Sequence, residues 1–555
     1  MEIKTRFITV CIGLLFYHFF PLSLSAQHDV FYVQLTDKQN TPYSLLRPHD
    51  FLSERAIERR KKQHIQLNET DLPINPAYIQ QIIDLGVSIE HSSKWFNAVA
   101  ILCPDSAKRE LVKKLPFVQY IKPLGYDRPV QKYRIYDKVV KDTSKLKPSV
   151  YGWAENQTKM LQIHHLHNFG YKGGGQYVAI FDGGFEQVYR MVAFDSLFLN
   201  HQILGTYDIV EGDEWVYESS GHGTDVLGVM GGNMPYRLLG TSPNSSYFLF
   251  KTEDTKGEFW TEEFNWVVAA EKCDSLGVDV INSSLGYTSF RDSTMNYKYK
   301  DLNGRTGIAT RGADMATHKG IIVVNSAGNE GRGSWKYIGV PADGFNVIAV
   351  GATNNLGFKA GFSSFGPTPD GRIKPNLSAQ GQDAFTASMF GFATKAISGT
   401  SFSSPILAGA ISSFWSACPQ KTNFELKFLL EKSASQWEKP DSLLGYGIPN
   451  FLAAYLEAQD EFWVACEQGE CFYNQKIASQ RIKIIHSHQQ PKPQRLEILN
   501  KLGEIVSQYE LEFSPLGEVS QLIIPTQGLE NGVYSVRIFT DKDVYTLPFY
   551  QQQRY

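Results

Sequence analysis

Residues 261–281 read TEEFNWVVAAEKCDSLGVDVI. The first sixteen of them, 261–276, carry a helical pattern. Gly277 follows, at the place where a left-handed residue closes a helix, and 278–281 form an apolar run of strand length. The same grammar returns downstream: a helical pattern over 306–319, Gly320, then an apolar strand at 321–324. Working outward, further apolar strands fall at 177–181, 246–251 and 346–350. Strands that are apolar throughout, separated by helices, are buried on both faces. Residues 150–460 are therefore expected to form an α/β domain, a parallel sheet covered by helices on both faces.

The flanks differ. Lys4 and Arg6 precede an apolar run over 7–24 that ends in Ser23-Leu24-Ser25-Ala26, the pattern of a cleaved signal peptide over 1–26. Such a leader implies a protein secreted to the exterior or the cell surface. Residues 27–126 read as a small α+β unit. Its strands are expected at 31–35, 95–102 and 118–121 and its helices at 51–64 and 78–85, and the basic run of the first helix reads as a solvated face. Residues 127–149, rich in Lys, Asp, Ser and Pro, read as a linker open to proteolytic processing. A second linker is expected over 461–479. Over 480–555 short strands alternate with turns, as in a small β-sandwich, with strands expected at 481–485, 495–499, 510–513, 521–524, 532–539 and 544–549.

A length of 555 residues implies several domains, and 42% apolar with 20% charged residues is an ordinary folded composition. A net charge of −3 gives no electrostatic case for nucleic acid or an anionic membrane. Of six cysteines, Cys466 and Cys471 are close enough to close a small disulfide loop, or to remain two free thiols. His164, His165 and His167 fall within a helix expected over 156–169 and point in different directions, so no metal site is assigned.

Four segments carry chemistry. Asp182, in Ile180-Phe181-Asp182-Gly183-Gly184, stands at the C-terminal end of a buried strand, where α/β sheets build sites. His222 lies between glycines in Ser220-Gly221-His222-Gly223-Thr224, open to close approach. Ser401, in Gly399-Thr400-Ser401-Phe402-Ser403-Ser404-Pro405, sits in a Ser-rich turn that opens a helix expected over 406–417, with Pro405 in its first turn. Free N–H groups and the positive end of a helix dipole suit a nucleophile whose attack creates an oxyanion. Asn329, after Gly328, follows the strand at 321–324 and is placed to offer its amide to that charge. Taken singly, these residues read as well as a strand-end cap, a structural histidine, a helix cap and a turn asparagine.

Together, in identity and in the order Asp, His, Ser, they resemble the subtilisin-like serine proteases over residues 150–455. The resemblance implies that Asp182 orients His222, that His222 takes the proton of Ser401, and that Ser401 attacks the peptide carbonyl while Asn329 and the Ser401 N–H hold the oxyanion. It also implies that Ser284, Leu285 and Gly286 bind an extended protein or peptide substrate, with Gly339 at the floor of the main specificity pocket. No cofactor is required for catalysis. Calcium is common in the family, but no EF-hand spacing is present, so structural calcium rests on resemblance alone. Phe402, Ser403 and Gly183 depart from the usual Met, Ala and Ser or Thr.

Residues 29–125, through Ser93-Lys94-Trp95-Phe96-Asn97-Ala98-Val99, resemble the inhibitory propeptides of these proteases, implying a zymogen whose own propeptide is an intramolecular inhibitor. Residues 480–555, through 500–506 and 529–536, resemble the C-terminal sorting domain of the type IX secretion system, implying outer-membrane secretion machinery as a partner. A catalytically silent binding protein on the same scaffold would be marked by loss of a triad member, and none is lost. A peptide ligase or a narrow processing protease keeps the same residues.

Overall fold

The computed structural model of the chain describes residues 29–125, 146–254, 257–459, 462–467, 470–473, 481–487, 493–511, 519–526, 528–530, 532–540 and 544–551. The expected signal peptide, 1–26, and most of the expected linker, 127–149, lie outside them.

The first unit runs β1 (Val30–Leu35), α1 (Glu54–Lys62), α2 (Pro76–Asp84), β2 (Ser88–Ser93), β3 (Ala98–Leu102), α3 (Ser106–Lys113) and β4 (Val118–Gly125). Its strands form one antiparallel sheet ordered β2-β3-β1-β4. Each helix starts where a side chain takes up an orphan N–H: Ser53 accepts from Ala56, Asn75 from Ala77, Asp105 from Ala107 and Lys108. Two expectations are corrected here. The strand expected over 95–102 begins at Ala98, because residues 94–97 make a turn with Asn97 at φ 50°. Half of the basic run of α1 is not a solvated face: Lys61 and Lys62 are exposed, but Arg59 and Arg60 are only 4% and 2% exposed, because the buried Asp274 carboxylate meets both.

The central unit begins with α4 (Glu155–Lys159) and α5 (Ile163–Asn168). The single helix expected over 156–169 is interrupted at Gln162, whose φ of 58° a right-handed helix does not pass. There follow β5 (Tyr177–Asp182), α6 (Asp195–Leu199), β6 (Ile203–Asp208), α7 (His222–Gly231), β7 (Asn233–Met234), β8 (Leu238–Leu239), β9 (Ser246–Lys251), α8 (Trp260–Leu276), β10 (Val280–Ser283), α9 (Ile308–His318), β11 (Ile322–Ser326), β12 (Ile348–Thr353), β13 (Leu377–Gln380), β14 (Ala384–Ala387), β15 (Thr394–Ile397), α10 (Thr400–Ala417), α11 (Asn423–Lys432) and α12 (Phe451–Ala458). Gly277 and Gly320 close α8 and α9 at φ 83° and 92°.

Seven strands form a parallel sheet ordered β13-β12-β11-β10-β5-β9-β6. Alternate residues feed two cores. Val178, Ile180, Val280, Ile322 and Val324 pack on the side of α7, α10 and α12, with Leu227, Ile411 and Phe451. Ala179, Phe181, Ile281 and Val323 pack with Phe264, Trp266 and Ala313 of α8 and α9. That second core continues into the first unit through Tyr32, Trp95, Ala98, Ala100 and Leu124, so the small sheet lies on α8. The strand order reverses beside β5, with β9 on one side and β10 on the other. Such a switch point opens a crevice at the strands' C-terminal ends.

The last unit is β16 (Phe462–Glu467), β17 (Glu470–Tyr473), β18 (Arg481–Ser487), β19 (Pro493–Leu499), β20 (Ile505–Glu510), β21 (Val519–Pro525), β22 (Gly532–Thr540) and β23 (Val544–Gln551). They make two four-stranded sheets, β17-β16-β18-β21 and β20-β19-β22-β23. Ile482, Ile484 and Ile524 of one meet Leu496, Ile498, Val536 and Ile538 of the other, a sandwich core. Strands β16 and β17 lie where a linker was expected over 461–479, because β16 pairs with β18 and completes a sheet. The strand expected at 510–513 overlaps β20 only at Glu510, and residues 512–513 lie outside the described residues. Cys466 stands opposite Cys471 in the β16–β17 register, and their side chains lie outside the described residues. Among the described residues, no helix is long and apolar enough to cross a membrane.

Candidate active site

Asp182 ends β5 and is 1% exposed. Its Oδ1 accepts the Gly183 N–H at 2.8 Å, so the backbone supplies a bond that a hydroxyl side chain at 183 would otherwise offer. His222 is the first residue of α7, and its Nδ1 lies 2.8 Å from Asp182 Oδ2 and 3.0 Å from Oδ1. Nδ1 is thereby the protonated nitrogen, leaving Nε2 to accept. Gly223 permits this approach: a Cβ there would fall 2.4 Å from the Gly184 carbonyl oxygen and 3.0 Å from Asp182 Cβ. The glycines that make the segment look like a loop are what let a helix start against the strand end.

Ser401 is the second residue of α10, which starts at Thr400, earlier than the expected 406. Pro405 therefore lies inside the helix and cannot donate to the Ser401 carbonyl. Ser284 Oγ fills that place, donating to Ser401 O at 2.9 Å. Asn282 Nδ2 donates to Ser284 Oγ at 3.1 Å and Ser404 Oγ to Asn282 Oδ1 at 2.9 Å. This chain of polar side chains, which the sequence reading missed, fastens the start of α10 to the end of β10. Ser401 Oγ donates to Ser284 O at 3.4 Å, a long and weak bond. The Phe402 ring lies 5.6 Å from the His222 ring.

Asn329 is exposed after β11. Its Oδ1 accepts Thr400 N at 2.9 Å and Thr400 Oγ1 at 3.1 Å, which turns the amide NH2 outward. Thr400, also missed, is legible only as part of the Gly-Thr-Ser motif. The Ser401 N–H belongs to the first turn of α10, where no intrahelical acceptor exists. Two donors thus flank Ser401.

Ser284, Leu285 and Gly286 leave β10 beside Ser401. Leu285 O is held by Asn325 Nδ2 (3.0 Å) and Ser326 Oγ (3.3 Å), while a Cβ on Gly286 would meet nothing within 4 Å. Tyr287 and Val340 exchange backbone bonds of 2.8 and 3.2 Å, which brings Gly339 against Thr288 and the same strand extension. The expected site residues therefore converge at the C-terminal ends of β5, β10 and β11. His167 is occupied elsewhere, between Tyr151 OH and Thr241 O, each at 3.0 Å. Among the described residues no group of three His, Cys, Asp or Glu side chains converges.

Burial alone pushes the His222 imidazole down, but the Asp182 charge and hydrogen bond, helped by Asp225, outweigh it and hold His222 above its ordinary 6.5. A general base must be neutral. The acid limb of kcat/KM is therefore expected above pH 6.5, with activity rising as His222 deprotonates. The stabilising His222–Asp182 ion pair runs the other way: fully present below the ordinary value, lost as pH rises through the raised one. A pH–rate profile set beside pH-dependent unfolding checks both signs.

A model of the subtilase family matches residues 173–447, and a model of the peptidase S8 propeptide domain of Bacteroidota matches residues 30–137. The chain is 32% identical to subtilisin of Bacillus pumilus over 274 residues, 49% of this chain and 87% of that one. It is 29% identical to subtilisin E of Bacillus subtilis (strain 168) over 380 residues, 68% of this chain and 85% of that one. The solved epidermin leader peptide processing serine protease of Staphylococcus aureus superposes with a TM-score of 0.53 at 17% identity, over 79% of this chain and all of that chain, a likeness of fold. The chain belongs to the subtilase family and is a serine endopeptidase that carries a propeptide domain of the Bacteroidota S8 type.

Proposed function

We propose that Asp182, His222 and Ser401 are the catalytic triad of a secreted endopeptidase made as a zymogen. The observation that carries this reading is the His222 ring held by the buried Asp182 carboxylate at 2.8 Å, next to a serine at a helix N-terminus. Ser401 Oγ attacks the scissile carbonyl as its proton passes to His222 Nε2. The C–N bond then breaks as the imidazolium protonates the leaving amine, and water repeats the sequence to free the acyl group. Asp182 keeps the ring in one tautomer. Asn329 and the Ser401 N–H receive the oxyanion. The open edge at Ser284, Leu285 and Gly286 takes an extended peptide by backbone pairing, with its main side chain toward Gly339. These steps use side chains and backbone alone, without a cofactor.

Residues 27–126, read as the inhibitory propeptide, are proposed to be cut from the 150–460 domain within 127–149. The leader at 1–26 and the two motifs at 500–506 and 529–536, set on a β-sandwich, support export with a type IX-like sorting domain at 480–555.

The test is casein hydrolysis by the purified protein. Hydrolysis abolished by a serine-directed fluorophosphonate and unaffected by a chelator is expected, and the reverse pattern overturns the reading. Asn329→Ala is expected to lower kcat by about 10²–10³ with little change in KM, the loss known for the corresponding asparagine of subtilisin. Steady-state kinetics on a peptide substrate measures it.

A further inference from the structure

Asp225 stands at i+3 from His222 on α7, adjacent to it on the helix surface. Its carboxylate pairs with Lys395 Nζ at 2.8 Å, the side chains 15% and 26% exposed. Lys395 lies on β15, the strand that leads through Ser398 and Gly399 into α10. The hairpin β14–β15 touches α7 elsewhere as well. Thr386 Oγ1 donates to the Asp225 carbonyl at 2.9 Å, and a Cβ on Gly228 would fall 2.1 Å from that same Oγ1. Ser398 Oγ in turn accepts Asp383 N at 3.0 Å, and Gly399 N donates to Gly381 O at 2.8 Å, so the segment entering α10 is held to its own hairpin.

We propose that the Asp225–Lys395 ion pair is a positioning pair for catalysis, fixing the helix that starts with His222 against the hairpin that delivers Ser401 and balancing the charge beside the imidazole. The proposal rests on the triad reading above. Three charged groups face His222: Asp182 from β5, Asp225 from its own helix and Lys395 from β15. Asp225 favours the imidazolium and Lys395 opposes it. Burial raises the Asp225 carboxyl above its ordinary value, against the pull of Lys395 and His222. With both partners present their effects on the ring oppose each other. Removing one leaves the other's charge uncompensated near the ring.

The test is the acid limb of kcat/KM in single and double variants of the self-processed enzyme. Lys395→Met is expected to move the limb to higher pH and Asp225→Asn to lower pH, each by roughly half a pH unit, about threefold in rate on the limb. The double variant returns near the wild-type limb with a lower kcat, since the tie between α7 and the hairpin is gone. Lys395→Arg keeps the charge and the wild-type limb. A pair with a merely structural role lowers kcat in both single variants and leaves the limb where it was, which overturns the proposal, as does an Arg variant that shifts the limb as far as Met. Should Asp225→Asn not fold, Lys395→Met against Lys395→Arg decides alone. Failure of the triad reading is distinct, because wild type itself would then show no histidine limb and no fluorophosphonate labelling.

Discussion

Ser401→Ala is expected to cost on the order of 10⁶ in kcat while leaving the fold in place, a loss known from subtilisin's own nucleophile and histidine variants. The two halves of this expectation come from different contacts. The hydroxyl makes one weak bond, 3.4 Å to Ser284 O, so its deletion is expected to cost less than about 1 kcal/mol of stability. The chemistry, by contrast, depends on Ser401 as the proposed nucleophile. Asn329 and the first-turn N–H survive the substitution, so a residual advantage of about 10³–10⁴ over water remains. The variant is also expected to persist as the uncut chain, as the proposed self-processing within 127–149 requires. Casein hydrolysis and a denaturing gel read the two outcomes side by side.

Arg60→Ala is expected to destabilise the propeptide-bound form by about 3–5 kcal/mol, the cost of removing one cation from a buried ion-pair network. Arg60 donates to both oxygens of Asp274 at 2.8 Å and to Asp71 at 3.0 Å, and all three side chains are at most 2% exposed. Arg59 shares Asp274, and Lys319 of the central unit shares Asp71 at 2.8 Å. The network therefore crosses from α1 to α8 and to the end of α9. On the same face Glu271 accepts Lys94 N at 2.8 Å and Trp95 N at 3.1 Å, together with the Ser93 hydroxyl. Arg55 pairs with Asp279 just before β10, and Gln63 bonds to Gly320 just before β11. These anchors lie at the N-terminal ends of the central strands, the opposite edge from Ser401. A six-residue strand at about 3.3 Å per residue separates the two edges by roughly 20 Å.

The pH sign follows from Asp274. Burial raises its pKa, but Arg60, Arg59 and Lys94 outweigh burial and hold it below the ordinary 3.8. Its contribution is present above that value and fades as pH falls through the lowered one. Urea unfolding of Ser401→Ala with and without Arg60→Ala measures the effect as a shift in the first transition. Arg47→Ala is the control. Its side chain is 63% exposed and 3.5 Å from Asp50, and a change within about 0.5 kcal/mol is expected.

The contrast between these two predictions shows what was legible in the sequence. Asp182, His222, Asn329 and Ser401 stood out because each sits in a local pattern of glycine and hydroxyl residues at a strand end or helix start. The parallel sheet was found from apolar runs, and the strands that were missed, β6 and β13, are the two edges, where polar residues interrupt the run. Helix α7 was missed because His222-Gly223-Thr224-Asp225 has poor helix propensity, which packing of Val226, Leu227 and Val229 overrides. Arg59 and Arg60 were misread because their partner Asp274 is 215 and 214 residues away, and no local pattern signals a counter-ion at that distance. The same holds for Asp225 and Lys395. Ion pairs between distant segments are properties of the fold, invisible to periodicity.

The most direct measurement of the central claim is peptide mapping of the wild-type protein after reaction with a serine-directed fluorophosphonate, beside His222→Ala. The account predicts one adduct, on the peptide containing Ser401, and its near-complete loss when His222 cannot take the proton. An adduct on a different serine, or labelling undiminished in His222→Ala, contradicts it.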